Sequence, residues 1–476
     1  MEVVVSKIRP GENNNFMNTE ILTENTLNRL AKALMVRHNV NYQTATKMLD
    51  TFRLNVVAGE GLLTSRAQQA ALLTAVNTGK RAFHGGVFVD MPKDVPCLLN
   101  WPGNLTLNKI VQALGGTLTE INTPAPGETL FIGSHKPEAG DGYVLHCAGW
   151  RGGITSPQVV PNFRAGVDFA LGGIATASIA VSRSFLRISG LHTTPEIDQQ
   201  GISLWRPDLD WLHPDAEGPQ IEFLPPKVWM LGLGHLGQAY LWCLSFLPYS
   251  NPADVEFLLQ DFDRVVKGNY ASGLLCEEQN VGHKKTRICS DWLELRGFTT
   301  TIVERPFDKL TKRTPDEPGV ACCGFDRAEP RRLLEDANFD LVVECGLGAD
   351  SYRFDRLTLH TFPGAPKKAS EIWNTSVDAI ADPRLVEAFK QKDDCGIVAE
   401  TLAKKAIASS FVGTFAGSLV VAEILKALHG GARCDLIQAH LRHGGLPGVA
   451  FNPEDYQLRI ARSGFILALQ NICLAA

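Results

Sequence analysis

Residues 226–285 carry the densest chemistry in this sequence, centred on Gly232, Gly234 and Gly237, on Asp261 and on Lys285. Gly232, Gly234 and Gly237 follow a short apolar run, Val228 to Leu231. Such a run predicts a strand, and the G-x-G-x-x-G turn after it brings backbone N–H groups and a helix N-terminus up to a phosphate. A second predicted strand, Phe257 to Leu259, delivers Asp261 to its end, where a carboxylate can accept both ribose hydroxyls. That much fits the cofactor site of any hydride-transfer enzyme. The segment Gly282-His-Lys-Lys285 does not. Hydride transfer moves no phosphate charge, whereas attack at an α-phosphate builds negative charge there and on the departing pyrophosphate, which an ammonium stabilises. Lys285 therefore favours adenylation, with a solvated surface lysine as the plain alternative.

The elements that would hold these groups alternate strand and helix signals at 227–231, 234–247, 255–260, 282–296, 300–304, 328–336 and 340–345. That order predicts a parallel sheet with helices on its faces. Residues 363 to about 407 are less regular and read as a crossover loop or small insertion, followed by a long apolar helix from Phe411 to Leu428 that stops at Gly430-Gly431. In the first half the pattern from Thr23 to Phe83 is helical, short strands are expected at 96–100, 117–121, 129–132 and 143–146, and an apolar helix spans Gly172 to Ile188. Setting Gly173 on Gly413 places Ser178 on Ser418, Val181 on Val421 and Gly190 on Gly430 without a gap, an offset of 240 residues. Either two small-residue-rich apolar helices match by chance, or the chain is a degenerate duplication whose first copy lacks the glycine fingerprint.

A chain of 476 residues is too long for one core, and 45% hydrophobic with 20% charged residues is a globular composition. A net charge of −5 gives no electrostatic case for nucleic acid or an anionic membrane and favours protein or small-molecule partners. With no run of about eighteen apolar residues and no signal-peptide pattern, a cytoplasmic location is expected. The eleven cysteines show no C-x-x-C spacing, which argues against a structural zinc and makes most of them buried hydrophobes. His84 and the pair His440 and His443 lack partners at metal-ligand spacing.

The order of these parts resembles the ThiF/MoeB superfamily, to which the ubiquitin-activating enzymes belong. That order is a glycine loop, an Asp after the second strand, an Asn about eight residues on, Gly-x-x-Lys opening a helix, and an Asp-Ser or Asp-Asn after a later strand. Here it reads Gly232 to Gly237, Asp261 with Asp263, Asn269, Gly282 to Lys285, and Asp350-Ser351 beyond Leu341 to Leu347. The resemblance implies a Rossmann-like adenylation domain using ATP and Mg²⁺, with Asn269 and Lys285 on phosphates and Asp350 on the metal. Gly348-Ala349 is an apparent insertion before that Asp. The family also carries Asn-Leu-x-Arg-Gln, whose Arg contacts the triphosphate, where this chain has Asn269-Tyr270-Ala271-Ser272-Gly273. Arg264, Lys267 and Lys284 stand nearby as substitutes or as surface charges. Arg151 could reach across from the first half, or stack on Trp150 as a structural residue.

By the same resemblance, Cys395 is the expected nucleophile, since thioester-forming members place theirs on a loop just before a small-residue-rich helix. Cys276 is second. Asp393 and Asp394 beside Cys395 would oppose a thiolate. The whole order looks most like the activating enzymes of bacterial, Bil-type ubiquitin-like conjugation systems, which act in antiphage defence. The implied organisation is a helical segment plus an inactive adenylation-like domain at 1–200, a linker at 201–225, an active domain at 226–432 with its Cys-bearing crossover loop at about 361–410, and an extension at 433–476. The implied partners are a ubiquitin-like protein and a conjugating enzyme, with a homodimer open because members also dimerise. Three rivals remain: adenylation without a thioester, an NAD-dependent oxidoreductase, and a non-catalytic scaffold.

Overall fold

The computed structural model describes residues 22–120, 126–133, 142–164, 166–192, 198–348, 350–374, 381–390, 397–442, 444–452 and 463–469. Two short helices, α1 (Ala31–His38) and α2 (Tyr42–Leu49), precede the first sheet. That sheet is built from β1 (Leu54–Ala58), α3 (Arg66–Gly79), β2 (Val87–Asp90), α4 (Leu107–Ala113), β3 (Gly116–Leu118), β4 (Glu128–Ile132), β5 (Tyr143–Ala148), β6 (Arg151–Thr155), α5 (Ala170–Ile188) and β7 (Gln199–Ser203). After β8 (Phe223–Leu224), the second half runs β9 (Lys227–Leu231), α6 (His235–Ser245), β10 (Glu256–Gln260), α7 (Lys285–Glu294), β11 (Thr299–Val303) and β12 (Val320–Cys323). It continues through α8 (Ala328–Arg331), β13 (Leu341–Leu347), β14 (Arg356–Phe362), α9 (Ala369–Ile372), α10 (Pro383–Phe389), α11 (Ile397–Lys404), α12 (Ser410–Leu428), β15 (Arg433–His440), β16 (Gly448–Asn452) and β17 (Ile466–Leu467).

The two large sheets share one strand order over seven positions, and the second adds β16 at its edge. The first is ordered β3-β2-β1-β4-β5-β6-β7 and the second β11-β10-β9-β12-β13-β14-β15-β16. In each, the first five strands are parallel and the rest antiparallel. Helices α5 and α12 occupy the same place in the two series, and their ends lie 240 residues apart, as the ungapped sequence match requires. α3 packs on α5, α6 on α12, and α5 on α12, so the halves share one continuous core. α12 is long and apolar enough to cross a membrane, yet nearly all of it is buried among these neighbours.

Four expectations change. Residues 23–83 are not all helix, because β1 lies within them; every residue of Leu-Asn-Val-Val-Ala is buried, so no in–out alternation marks it as a strand. β12, Val-Ala-Cys-Cys, is hidden for the same reason. Residues 96–100 form no strand, only an isolated bridge between Pro96 and Thr106, and β2 takes the sheet position. The antiparallel β6, β7 and β14 to β16 extend what alternation alone reads as purely parallel.

Candidate active site

At the end of β9, Gly232 turns the chain with φ of +83°, a conformation that glycine adopts without strain. Gly237 lies in the first turn of α6, where an added Cβ would come within 2.0 Å of the Gly232 carbonyl oxygen. The loop is thus folded tightly on its helix. Gly234 faces open space, and α6 has no side-chain cap, which leaves its first N–H groups free for an anion. One strand over, Asp261 accepts from the Leu233 N–H at 2.7 Å and from the Asp263 N–H at 2.8 Å, so its carboxylate ties the glycine loop to the end of β10. Lys285 opens α7 and donates to Asp263 at 2.7 Å. Burial alone would lower the Lys285 pKa, but Asp261 and the bonded Asp263 outweigh it and raise the pKa, keeping the ammonium charged. Asn269 accepts from the Val266 N–H at 3.0 Å and so closes the turn on which it sits.

Gly232, Gly234, Asp261, Asp263, Asn269 and Lys285 line one cavity of about 800 Å³, joined by the aromatic rings of Phe262, Phe307 and Phe325. It opens beyond the carboxyl ends of β9, β10 and β12, where the connection from β9 goes one way to β10 and the later chain goes the other way to β12. Ligands of open α/β sheets bind at such switch points. Gly237 lies beneath the cavity and does not line it.

Asp350 is placed elsewhere. It lines an adjoining cavity of about 440 Å³, and its carboxylate accepts from Arg353 at 2.7 Å and from the Tyr352 N–H at 2.9 Å. The two cavities meet at Arg331, Leu347 and Gly348. Asp326, just past β12, does line the larger cavity. Reading the sequence missed Asp326 because it missed the strand that delivers it. Cys395 lies outside the described residues, whereas Ala406, Ile407 and Ala408, between α11 and α12, line the cavity. Cys276 is fully buried, 3.1 Å from the Gln238 amide, and burial pushes its thiol pKa up; it is closed to an acyl group. Among the described residues no cluster of three or more His, Cys, Asp or Glu could hold a metal.

The first half contributes two arginines that the sequence alone does not single out. Arg29 lines the cavity, and its buried Nε has no hydrogen-bond partner among the described residues. Burial lowers its pKa against the pull of Asp326 and Glu24. Arg81, wholly buried, donates to the carbonyls of Tyr270, Leu274 (3.0 Å) and Cys276 (3.2 Å), with its guanidinium 5.0 Å from the Tyr270 ring centre. It holds the segment from which the expected Arg is missing. Arg151 does neither job suggested for it: it bonds to Glu217 (3.2 Å) and the Arg164 carbonyl (3.1 Å) and lies over Phe163, not Trp150. Arg264 and Lys284 are spent on the carbonyls of Gly282 and Phe262.

The fold is thus a duplicated α/β one, parallel at the centre of each large sheet, with the glycine-loop cavity in the second copy, as the resemblance to the ThiF/MoeB superfamily implies. Residues 53–204 match the BilD N-terminal domain and residues 224–431 the BilD C-terminal domain. The chain is 37% identical over 426 residues to the bacterial E1-like protein BilD of Collimonas sp. (strain OK412), covering 87% of this chain and 91% of that protein. It belongs to the BilD family. Among solved structures, E. coli MccB with MccA-N7isoASN is 16% identical with a TM-score of 0.32, and covers 48% of this chain and 64% of its own. E. coli MccB with AMPCPP and selenomethionine MccA is 16% identical with a TM-score of 0.33, covering 65% and 94%.

Proposed function

We propose that this protein uses ATP to adenylate the C-terminal carboxylate of a ubiquitin-like protein, takes the acyl group onto Cys395 as a thioester, and passes it to a conjugating enzyme. One observation carries the reading: a single cavity brings together an uncapped helix N-terminus, Asp261, Asn269, Lys285 and, from the other half, Arg29, whose Nε has no hydrogen-bond partner among the described residues. Three positive features converge there, which suits a triphosphate better than the diphosphate of a dinucleotide cofactor.

In this reading the free N–H groups of α6, Lys285 and Arg29 offset the phosphate charge that grows as the carboxylate attacks the α-phosphate. Asp261 accepts from the ribose, and Phe307 and Phe325 offer apolar surface to the base. Mg²⁺ fits the donor set, because it needs only one or two protein carboxylates when phosphates and water complete its shell. Asp326 lines the cavity and could hold the ion directly; Asp350 would have to leave Arg353 first. When bound, the ion adds charge stabilisation to the phosphates. Transfer then breaks the acyl carbon–phosphate oxygen bond and forms a carbon–sulfur bond; AMP leaves with the electron pair and the thiol proton passes to water.

The test incubates the protein with the ubiquitin-like protein, Mg-ATP and labelled pyrophosphate, then runs a non-reducing gel. Carrier-dependent exchange and a thiol-sensitive adduct that disappears in Cys395→Ala are expected. Exchange without an adduct reduces the function to adenylation; tight NAD binding with no exchange rejects it. Comparing Asp326→Asn with Asp350→Asn for the Mg²⁺ dependence of exchange decides which carboxylate serves the metal.

A further inference from the structure

Gln238 follows the last glycine of the fingerprint on α6, is 1% exposed, and does not line the cavity. Its side-chain amide bridges two stretches of backbone: Oε1 accepts from the Leu275 N–H at 2.9 Å, and Nε2 donates to the Leu233 carbonyl at 3.1 Å. Only one orientation of the amide serves both, since a backbone N–H can only donate and a carbonyl can only accept. Gly273 makes the room, because a Cβ there would lie 2.7 Å from Oε1.

Each of the two peptide groups that Gln238 joins has a second edge. The Leu274 carbonyl, on the peptide that presents the Leu275 N–H, accepts from Arg81 at 3.0 Å and from Asn77 at 3.2 Å. Both donors belong to the first half, one on α3 and one just past it. On the other side, the Leu233 carbonyl shares its peptide with the Gly234 N–H. A trans peptide points its carbonyl and its N–H in opposite directions, and Phe362-Pro363 is the one cis bond among the described residues. With the Leu233 carbonyl drawn inward to Gln238, the Gly234 N–H is turned away from it. Gly234 lines the cavity, and among the described residues its N–H has no partner. The Leu233 N–H is bonded to Asp261 at 2.7 Å, so the loop is held from both sides.

Three amides thus stand in series: the Leu274–Leu275 peptide, the Gln238 side chain and the Leu233–Gly234 peptide. Each turns its oxygen toward Arg81 and its N–H toward the cavity. The Arg81 guanidinium keeps its charge, and hydrogen-bonded dipoles in a protein interior polarise one another by about 10–30% per bond. Glu277, 3.6 Å from Arg81, offsets part of that charge and is itself bonded to Lys80 at 2.7 Å.

We propose that Gln238 is a positioning residue for the nucleotide: it links buried Arg81 of the first half to the glycine loop through a line of aligned amides, and so holds the Gly234 N–H toward a phosphate. The inference rests on the function proposed above and names how the half without the fingerprint acts on the site. A line of this kind serves the phosphates and not the nucleoside, which separates it from a packing role.

The experiment titrates the full chain with Mg-ATP by calorimetry, and with adenosine by displacement of Mg-ATP, for wild type, Gln238→Met, Arg81→Met and the double variant. Gln238→Met should weaken Mg-ATP about ten- to a hundredfold, the span of one hydrogen bond to a charged group, and leave adenosine within about threefold of wild type. Arg81→Met should show the same selectivity, and the double variant should lose little more than the worse single one, because members of one network are not additive. Gly273→Ala crowds Oε1 without removing a buried charge; it serves where either Met variant does not fold, and should show the same phosphate-selective loss. Equal weakening of Mg-ATP and adenosine, or unchanged Mg-ATP affinity in these variants, overturns the role of Gln238. Additive losses overturn its link to Arg81. A wild-type chain that binds no Mg-ATP overturns the reading beneath both.

Discussion

Among the described residues Arg29 has nothing to bond to at Nε, and it shares with Asp326 and Lys285 the lining of one cavity. A buried guanidinium nitrogen without a partner is costly for the fold on its own, and its place in the cavity lining gives it an anionic ligand to meet. Arg29→Ala should therefore lower pyrophosphate exchange about 10² to 10³-fold, the scale seen when one preorganised donor to a developing charge is removed. Its unfolding midpoint in urea should hold or rise slightly, because a desolvated charge is lost with no bond broken. Exchange near wild type in a folded Arg29→Ala protein would sink this role. The residues readable from sequence, Gly232 to Gly237, Asp261 and Lys285, are those whose positions relative to one another are set by local strand–turn–helix geometry. Arg29 and Asp326 were not readable, since the first arrives from another half of the chain and the second follows a strand with no alternation.

At the scale of elements, the N-termini of α3 and α6 occupy equivalent places in the two copies and have opposite fates. On α3, the Asp168 carboxylate accepts from the Arg66 N–H (2.7 Å), the Ala67 N–H (3.0 Å) and the Ser65 hydroxyl (2.8 Å). A protein carboxylate thus sits where α6 leaves room for a phosphate. By the 240-residue offset, the counterpart of Asp168 is Ala408, which lines the glycine-loop cavity. Ala408→Asp should copy the plug into the second half. Nucleotide affinity measured by titration calorimetry should fall by at least about 100-fold, through like-charge repulsion and occupied N–H groups. Thermal stability should hold, because the new carboxylate caps α6. An Ala408→Asp protein that still binds ATP tightly would show that the two helix ends are not equivalent. The offset itself was legible, because α5 and α12 are long, small-residue-rich and ungapped. Strands β1 and β12 were not, because a fully buried four- or five-residue run carries no period.

For the whole molecule, among the described residues the duplication pairs one open helix end, on α6, with one filled helix end, on α3. The second half supplies the glycine loop, Asp261 and Lys285; the first half supplies Arg29 to the cavity and Arg81 to the loop from Tyr270 to Cys276. The first half's own helix end is filled by Asp168, and its β1–α3 turn lacks the G-x-G-x-x-G spacing. Each chain should therefore bind one Mg-ATP, whether it is a monomer or a dimer, and calorimetry should return a stoichiometry near one nucleotide per chain. A fragment beginning at the linker, without Arg29 and Arg81, should bind markedly more weakly even where it folds, and adding the first half in trans should restore affinity. Two nucleotides per chain would mean that Asp168 yields to phosphate. One nucleotide per two chains would mean that the site is completed across a dimer, against the internal pairing of halves seen here.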